Sequence, residues 1–448
     1  MRIREVGVRA ACCLGAAVTV AVLAGAPAVA QPATDRPPTS TPAPGAPPTP
    51  GNTTPPTGTT TPPFTTPSTD DCAQRTQPPP PVDTSEVPAP GEPTPSPLPV
   101  PSPAIGGQRM GDCGVVLPDG APPLPADISA TSWMVSDLDT GRVLAAKDPH
   151  GRYRPASTIK VALAIVALRS LDLDEVVTGT QADADVDGTR VGIGPGGRYT
   201  NRQLMQALIM CSGNDAAHAI ATQLGGDERA VAKMNDVAKT LRAMDTRAAT
   251  PSGLDGPGMS TSAYDLSVLF REAMSIPLFA ELIHTEQVDF PGFPADPKIP
   301  GDKDHPGFPI ANDNQLLYNY AGAIGGKTGF TDDARQTFVA AAERDGHRLV
   351  VTLLKADVRP IRPWEQAARL LDYGFALDSN ARIGKLPETG SDAVEPSVPL
   401  ASPPPRADGS KADSDRPVHE GARIATLIGG PVVVVGLLLW ARRAFRRR

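Results

Sequence analysis

Apolar residues form two long uninterrupted runs near the ends of the chain and shorter patterns between them. The two runs span residues 10–26 and 424–441, and neither contains a charged side chain. Residues 133–137 and 143–147 have the composition and spacing that predict two β-strands joined by a tight turn. Residues 161–168 are apolar at every position, which predicts a helix that is buried on most sides.

Further patterns between these runs predict more helices and then more strands. Residues 203–224 and 230–241 are predicted to be helical, residues 338–342 and 349–354 are predicted to be strands, and residues 364–373 predict a closing helix. Strands therefore lie at both ends of this region, with helices between them. We expect one sheet assembled from the two ends of an α/β domain.

The apolar run at 10–26 has the features of a secretory signal peptide. Three arginines precede it within the first nine residues, and the small-residue motif Ala28-Val29-Ala30 follows it. We therefore expect cleavage after Ala30, which removes residues 1–30 from the mature protein.

The apolar run at 424–441 predicts a transmembrane helix, because its 18 residues are just enough to cross the hydrocarbon core of a membrane. The basic tail at 442–448 is then expected on the cytoplasmic side, and the preceding chain outside. A second interpretation stays open, because the run from Leu386 to Gly390 reads L-P-E-T-G and resembles a sortase sorting signal. Wall anchoring would follow from it, and both interpretations place the folded part outside the cytoplasm.

Proline is distributed very unevenly along the chain of 448 residues. Of the 52 prolines, 25 fall between residues 32 and 105, so we expect residues 31–105 to form a disordered, stiff, extended arm. A connecting segment at 106–123, a folded domain at 124–380 and a polar linker at 381–423 follow. The net charge of -7 argues against a nucleic-acid-binding protein.

Three cysteines remain after removal of the predicted signal peptide. We expect Cys72 to form a disulfide with Cys113, because Cys211 lies in an apolar helical run. An extracytoplasmic location permits such a bond, although the sequence by itself leaves the pairing open.

The first chemical feature is Ser157-Thr158-Ile159-Lys160 at the start of the buried helix. Residues three apart lie on one helix face, so the Ser157 hydroxyl and the Lys160 amine can meet. Burial lowers the pKa of such a lysine and makes it a candidate base. A serine at a helix N-terminus also has free backbone N–H groups nearby that can stabilise an oxyanion.

Two further short motifs follow in a fixed order, and the three together resemble a known superfamily. Ser212-Gly213-Asn214 begins 55 positions after Ser157, and Lys327-Thr328-Gly329 begins 115 positions after Ser212. This set resembles the three signature motifs of the penicillin-recognising serine peptidases and β-lactamases. The extended runs at 251–255 and 314–334 are most similar to those of the low-molecular-mass D-alanyl-D-alanine carboxypeptidases.

The resemblance implies a fold, a reaction and a set of roles. The fold is an antiparallel sheet flanked by helices together with an all-helical subdomain, and the reaction removes the terminal D-alanine from peptidoglycan stem peptides through an acyl-enzyme that β-lactams also form. The implied catalytic residues are the nucleophile Ser157, the base Lys160 and the proton relay Ser212. The implied substrate-binding residues are Asn214 for the amide, Lys327 and Thr328 for the terminal carboxylate, Gly329 of the same motif, and Phe330, whose N–H completes an oxyanion hole with that of Ser157.

Two departures and three alternatives accompany this interpretation. Arg335 stands where many relatives have glycine, which puts a close backbone approach there in doubt, and we expect no β-rich module between the domain and the apolar run at 424–441, although relatives often have one after the domain. A class A β-lactamase is disfavoured because residues 247–258 contain no glutamate. A non-catalytic penicillin sensor would need a cytoplasmic output, and a surface adhesion protein would not explain the motifs. No cofactor or protein partner is predicted. No metal site is predicted either, because no pair of histidines has the spacing of a zinc motif.

Overall fold

A seven-stranded antiparallel sheet holds the functional residues in place. The computed structural model describes residues 64–378 and 380–389. Its strands are β1 Val115–Val116, β2 Ser132–Asp137, β3 Arg142–Lys147, β4 Val176–Thr178, β5 Arg198–Thr200, β6 Gln287–Phe290, β7 Phe308–Ala311, β8 Ala323–Thr331, β9 Arg335–Arg344, β10 His347–Ala356 and β11 Gly384–Lys385. Its helices are α1 Lys160–Ser170, α2 Gln181–Ala184, α3 Asn201–Met210, α4 Asn214–Gln223, α5 Asp227–Thr240, α6 Ala263–Met274, α7 Pro277–His284, α8 Gln315–Asn319 and α9 Pro363–Ala376.

The order of strands in the main sheet joins the two ends of the domain, as predicted. The order is β1-β3-β2-β10-β9-β8, and β11 also pairs with β3. The central contact is therefore between β2 from the first part of the chain and β10 from the last part, with Val135 opposite Val351. Strand β8 forms the far edge, so one of its sides has no neighbouring strand in this sheet.

Both faces of the sheet are buried, because apolar side chains alternate between two cores along each central strand. Phe338, Ala340 and Ala342 of β9 pack on the side covered by α9, whereas Val339 and Ala341 pack on the opposite side. Helices α1 and α6 belong to that second and larger core, together with α3, α4 and α5. The sheet and the group of helices therefore agree with the fold class that the resemblance implied.

The helix predicted for residues 203–224 is two helices in the structure. Helix α3 ends at Met210, and α4 begins at Asn214 after three residues outside either helix. Ser212 has a φ of 58°, which an α-helix does not permit. Helix α6, which the sequence analysis did not assign, carried a signal in Ser262, whose hydroxyl accepts a hydrogen bond from Asp265 N and caps the helix.

Residues 64–105, predicted as part of a disordered arm, instead lie against the domain. Their backbone carbonyls accept hydrogen bonds from Arg152, whose guanidinium contacts Thr76 O at 2.7 Å and Pro99 O at 2.8 Å. A disulfide between Cys72 and Cys113 also links this segment to the domain. Proline lacks an N–H group but keeps its carbonyl, so a proline-rich chain can still be held by donors from a folded surface.

Other predicted boundaries also move, because neighbouring segments join the sheet. Strand β1 lies in the predicted connecting segment, and β11 lies in the predicted linker. Leu386, the first residue of the sortase-like run, is 2% exposed, and its N–H donates to Gly141 O at 2.7 Å. The start of that run is therefore part of the fold rather than an accessible extended peptide.

Several predicted segments lie outside the described residues, namely the signal peptide at 1–30, the first part of the arm, Gly390 and everything after it, including the apolar run at 424–441. Within the part of the chain that is described, no helix has the length and apolar character needed to cross a membrane.

Loss of the buried Arg152 side chain is expected to destabilise the domain. The side chain of Arg152 is 1% exposed and also pairs with the buried carboxylate of Asp245. Replacement by methionine leaves that carboxylate without its arginine, so Arg152→Met should lower the free energy of unfolding by roughly 3 kcal/mol or more in urea denaturation. Arg198→Met, at an exposed position on β5, is the matched control and should change it by less than about 0.5 kcal/mol. Equal stability of the two variants would contradict the prediction.

Candidate active site

Ser157, the predicted nucleophile, lies in a short turn that the chain reaches through a strained residue. Ser157 belongs to a 3-10 turn, Ala156–Ile159, directly before α1. Ala156 has a φ of 47°, in the left-handed region that disfavours residues with a Cβ. A Cβ on Gly253 would lie 2.1 Å from Ala156 O, so only glycine fits there. Close packing by the segment around Gly253 therefore holds the strained turn.

The amine of Lys160 is buried and contacts the Ser157 hydroxyl. Its Nζ lies 2.8 Å from Ser157 Oγ, 2.8 Å from Asn214 Oδ1 and 2.6 Å from the carbonyl oxygen of Ser252. The amide of Asn214 is fixed in this orientation, because its Nδ2 donates to Asp187 O at 2.7 Å. The two oxygens of Asn214 and Ser252 can only accept hydrogen bonds. A neutral amine that donates to both of them therefore directs its lone pair at the Ser157 hydroxyl.

Burial holds the pKa of Lys160 well below its usual value, and the positive charge of Lys327 lowers it further. The negative charges of Asp313 and Asp215 oppose this shift without cancelling it. Lys160 is 0% exposed and, among the described residues, hydrogen-bonds only to neutral groups. These conditions favour a deprotonated amine, which can accept the Ser157 proton.

The second motif occupies the break between α3 and α4. The N–H of Asn214 donates to Thr189 O at 2.7 Å, which fixes the start of α4 against the loop before β5. This break allows Asn214 to reach Lys160. Ser212 is 7% exposed, and within the described residues no hydrogen bond joins its hydroxyl to Lys160 or Lys327. Its role as a proton relay stays a prediction.

The third motif lies within edge strand β8, which directly precedes the strand β9 that contains Phe338. Lys327 is 0% exposed, and burial lowers the pKa of its amine while Asp313 raises it. Lys327 Nζ lies 4.0 Å from Asp313 Oδ2, and Thr328 Oγ1 donates to the same oxygen at 2.9 Å. The amines of Lys160 and Lys327 and the hydroxyl of Thr328 therefore line the place where the edge strand faces Ser157.

Gly329 lets the edge strand β8 approach the turn at Ala156–Ile159, which contains Ser157. A Cβ at this position would lie 2.9 Å from Ser157 N and 3.0 Å from Thr158 N, so a larger residue would push the two segments apart. Thr337 on β9 supports the same contact, because its Oγ1 donates to Pro155 O at 2.7 Å. The backbone N–H groups of Ser157 and Phe330 therefore come from adjacent segments, as an oxyanion hole requires.

The residues after the third motif are tied to the 251–255 segment. Thr331 Oγ1 donates to Asp255 Oδ1 at 3.0 Å, and burial raises the pKa of Asp255 to about 6. Arg335, in place of the glycine of relatives, adopts a φ of 56°, where glycine is the favoured residue. Its guanidinium pairs with Asp357 at 3.0 Å.

Sequence reasoning missed several residues that complete the site. The carbonyl of Ser252 contacts Lys160, yet any residue type has such a carbonyl, so no sequence signal for it exists. Asp313 was missed although it directly precedes the family-like run that begins at Asn314, and that position was the available signal.

Among the residues that the structure describes, two clusters each bring three possible metal ligands within 4.8 Å of one another, His150 with Asp245 and Asp265, and Glu86 with Asp255 and Asp333. A buried arginine pairs with a carboxylate in each, Arg152 in the first and Arg154 in the second. We interpret both as ion-pair networks.

Replacement of Lys327 should change the pH dependence of acylation. If the neutral form of Lys160 is the base, acylation of Ser157 by a penicillin rises as pH rises through the lowered pKa of Lys160. Lys327→Met removes one of the two causes of that lowering, so the pKa of Lys160 rises and the midpoint of the acidic limb moves to higher pH. The pH profile of the acylation rate constant measures this shift. The matched variant Lys298→Met, on an exposed loop, should leave the midpoint unchanged, and a midpoint at lower pH in Lys327→Met would contradict the interpretation.

Comparison with known proteins agrees with this arrangement. The family model described as D-alanyl-D-alanine carboxypeptidase matches residues 120–358. The D-alanyl-D-alanine carboxypeptidase DacB2 of Mycobacterium tuberculosis is 48% identical over 275 residues, which cover 60% of this chain and 90% of that protein.

Solved structures give the same result. A crystal structure of a D-alanyl-D-alanine carboxypeptidase from Mycobacterium tuberculosis matches with 46% identity and a TM-score of 0.56, covering 60% of this chain and 100% of the other. A DD-transpeptidase from Streptomyces matches with 29% identity and a TM-score of 0.52, covering 57% and 100%. With the family model covering more than half of its length, the chain belongs to the D-alanyl-D-alanine carboxypeptidase family of serine peptidases.

Proposed function

We propose that this serine-type D-alanyl-D-alanine carboxypeptidase removes the terminal D-alanine from peptidoglycan stem pentapeptides. The observation that carries the proposal is the contact of the Lys160 amine with Ser157 Oγ at 2.8 Å, in a position where its other two partners can only accept hydrogen bonds. That arrangement activates a serine without a histidine.

The proposed acylation transfers one proton and exchanges one bond. Ser157 Oγ attacks the carbonyl carbon of the penultimate D-alanine while Lys160 accepts the hydroxyl proton. The negative charge on the carbonyl oxygen is stabilised by the N–H groups of Ser157 and Phe330. The C–N bond to the terminal D-alanine then breaks, and its amine takes up a proton through the relay assigned to Ser212. Water attacks the acyl-enzyme in the second step, with Lys160 again as the base, and releases the shortened peptide.

Substrate binding is proposed along the free side of β8. An extended peptide can pair with an edge strand through main-chain hydrogen bonds, and β8 is such an edge. The terminal carboxylate would lie near Lys327 and Thr328, and the buried amine of Lys327 supplies positive charge there. The same geometry would accept a penicillin, whose carboxylate and strained amide match this end of the substrate, so we propose that β-lactams acylate Ser157.

The segment that contains Ser252, next to Ser157, favours a peptidase over a β-lactamase. A class A β-lactamase deacylates quickly because a glutamate activates water. In this structure the group beside Lys160 is instead the main-chain carbonyl of Ser252, whose oxygen lies 3.5 Å from Ser157 Oγ. A main-chain carbonyl cannot take up a proton from water as a carboxylate can. Deacylation from penicillin should therefore be slow.

A transpeptidase is the second candidate, because the Streptomyces structure described above is a DD-transpeptidase. The two reactions share the acyl-enzyme and differ only in whether water or an amine attacks it. Product analysis in the presence of an acceptor amine separates them.

We also propose that the enzyme acts outside the cytoplasmic membrane in cell wall remodelling. The disulfide between Cys72 and Cys113 favours an oxidising compartment. The predicted signal peptide and the apolar run at 424–441 support secretion and anchoring in the membrane.

Mass spectrometry with a labelled penicillin and a D-Ala-D-Ala peptide tests the reaction. We expect one penicilloyl adduct on Ser157, release of D-alanine from the peptide, and loss of both in Ser157→Ala, by at least about a thousandfold in rate. Ser170→Ala, an exposed serine at the end of α1, is the control and should retain both.

An adduct that survives Ser157→Ala would overturn the nucleophile assignment. Rapid penicillin turnover without D-alanine release would instead identify a β-lactamase. A stable adduct with no peptide turnover would favour the penicillin sensor.

A further inference from the structure

The proline-rich segment at 76–99, here named the arm loop, lies beside the catalytic site although it precedes the family-matched residues 120–358. It has no helix or strand and leaves a cavity of about 360 Å³ against the domain. Its residues Pro79, Val82, Ser85 and Glu86 contact charged groups of the domain that lie close in sequence to the two segments of the proposed oxyanion hole.

The first contact reaches the nucleophile side. Glu86 forms a bidentate ion pair with Arg154, through Nε and through Nη2 at 2.8 Å, and Arg154 Nη1 also donates to Pro79 O at 2.8 Å. The side chain of Arg154 is 2% exposed. Only Pro155 and the strained Ala156 separate Arg154 from Ser157. The arm loop therefore fixes the chain directly before the strained turn.

The second contact reaches the edge-strand side. Val82 N donates to Asp333 Oδ1 at 2.5 Å, and Ser85 Oγ contacts Asp333 Oδ2 at 3.5 Å. Asp333 is 7% exposed and lies two residues beyond the end of β8, which contains Phe330. The turn at this point is closed by Thr331, whose Oγ1 accepts a hydrogen bond from Ala334 N at 3.0 Å.

The two contacts are physically joined. One carboxylate oxygen from each of Glu86, Asp255 and Asp333 lies within 4.8 Å of the others, with the Arg154 guanidinium paired to Glu86. Asp255 in turn accepts a hydrogen bond from Thr331. The acidic and basic groups of the arm loop, the nucleophile segment and the end of β8 thus form one network.

We propose that the arm loop is a positioning element of the active site, in which Glu86 and Val82 hold the Ser157 turn and the Phe330 strand at the separation that the oxyanion hole requires. This inference rests on the acyl transfer at Ser157 proposed above. Neither residue touches the reacting atoms. They act through Arg154 and Asp333, and displacement of a donor by about 1 Å can cost a hundredfold in rate.

The first test replaces the charged contact. Glu86→Gln removes the ion pair with Arg154, and Glu92→Gln is the matched control at an exposed position of the same loop. We expect the acylation rate constant for a fluorescent penicillin, expressed per titrated active site, to fall about tenfold or more in Glu86→Gln and to stay unchanged in Glu92→Gln. The kcat for a D-Ala-D-Ala peptide should fall with it, whereas KM should change by less than about twofold. Glu86→Asp should recover part of the rate.

The second test removes only a hydrogen-bond donor. Val82→Pro deletes the N–H that contacts Asp333, and it follows Pro81 in a run that already suits proline. Val100→Pro is the control, because Val100 also follows a proline, is 40% exposed, and its N–H contacts no acceptor among the described residues. We expect a fall of about fivefold or more in acylation rate for Val82→Pro and none for Val100→Pro.

Titration of active sites separates positioning from a purely structural role. A variant that merely folds less well loses titratable sites and keeps the wild-type rate constant at each remaining site. The inference would be overturned if both Glu86→Gln and Val82→Pro lost titratable sites but kept the wild-type acylation rate constant per site. It would also be overturned if both variants kept the wild-type rate constant and the wild-type number of titratable sites. If the wild-type protein itself forms no adduct on Ser157, the proposed function fails instead, so the two failures are distinguishable.

Discussion

The site depends on the buried amine of Lys160, which hydrogen-bonds to no acidic group in the described part of the chain. Because a charged ammonium is costly to bury without a counter-ion, the environment of Lys160 favours its neutral form. The apolar residues of α1 create this environment, and the oxygens of Asn214 and Ser252 fix the orientation of the amine. Other features of the site, such as the break before α4 and the tight turn at Gly253, bring those two oxygens to it.

The remaining contacts hold two strained or exposed segments next to each other. The turn at Ala156 has an unfavourable φ, and edge strand β8 lacks a neighbour on one side. Gly329 allows these segments to meet, and Thr337 links them through Pro155 O. A backbone arrangement that is preorganised in this way stabilises developing charge without rearrangement during the reaction.

The proline-rich segment shows the limit of reasoning from composition. High proline content correctly predicts the absence of helices and strands at 64–105, but it does not predict detachment from the domain. Docking depends on arginine side chains of the domain, such as Arg152 and Arg154, and on carbonyls that every residue of the arm carries. Composition describes only one partner of such a contact, so it cannot show that the contact forms.

The sequence by itself determined that strands from both ends of the domain join in one sheet with helices between them, and it identified Ser157 and Lys160 as candidates, since these inferences depend on local periodicity and on spacing within one helix turn. It also determined the family, through the order of three motifs. Only the tertiary structure decided that Asn214 and the Ser252 carbonyl contact Lys160, that the third motif lies in an edge strand, and that the arm lies beside the site. These contacts join residues far apart in the chain, and their geometry depends on backbone turns and carbonyls that leave no specific residue pattern in the sequence.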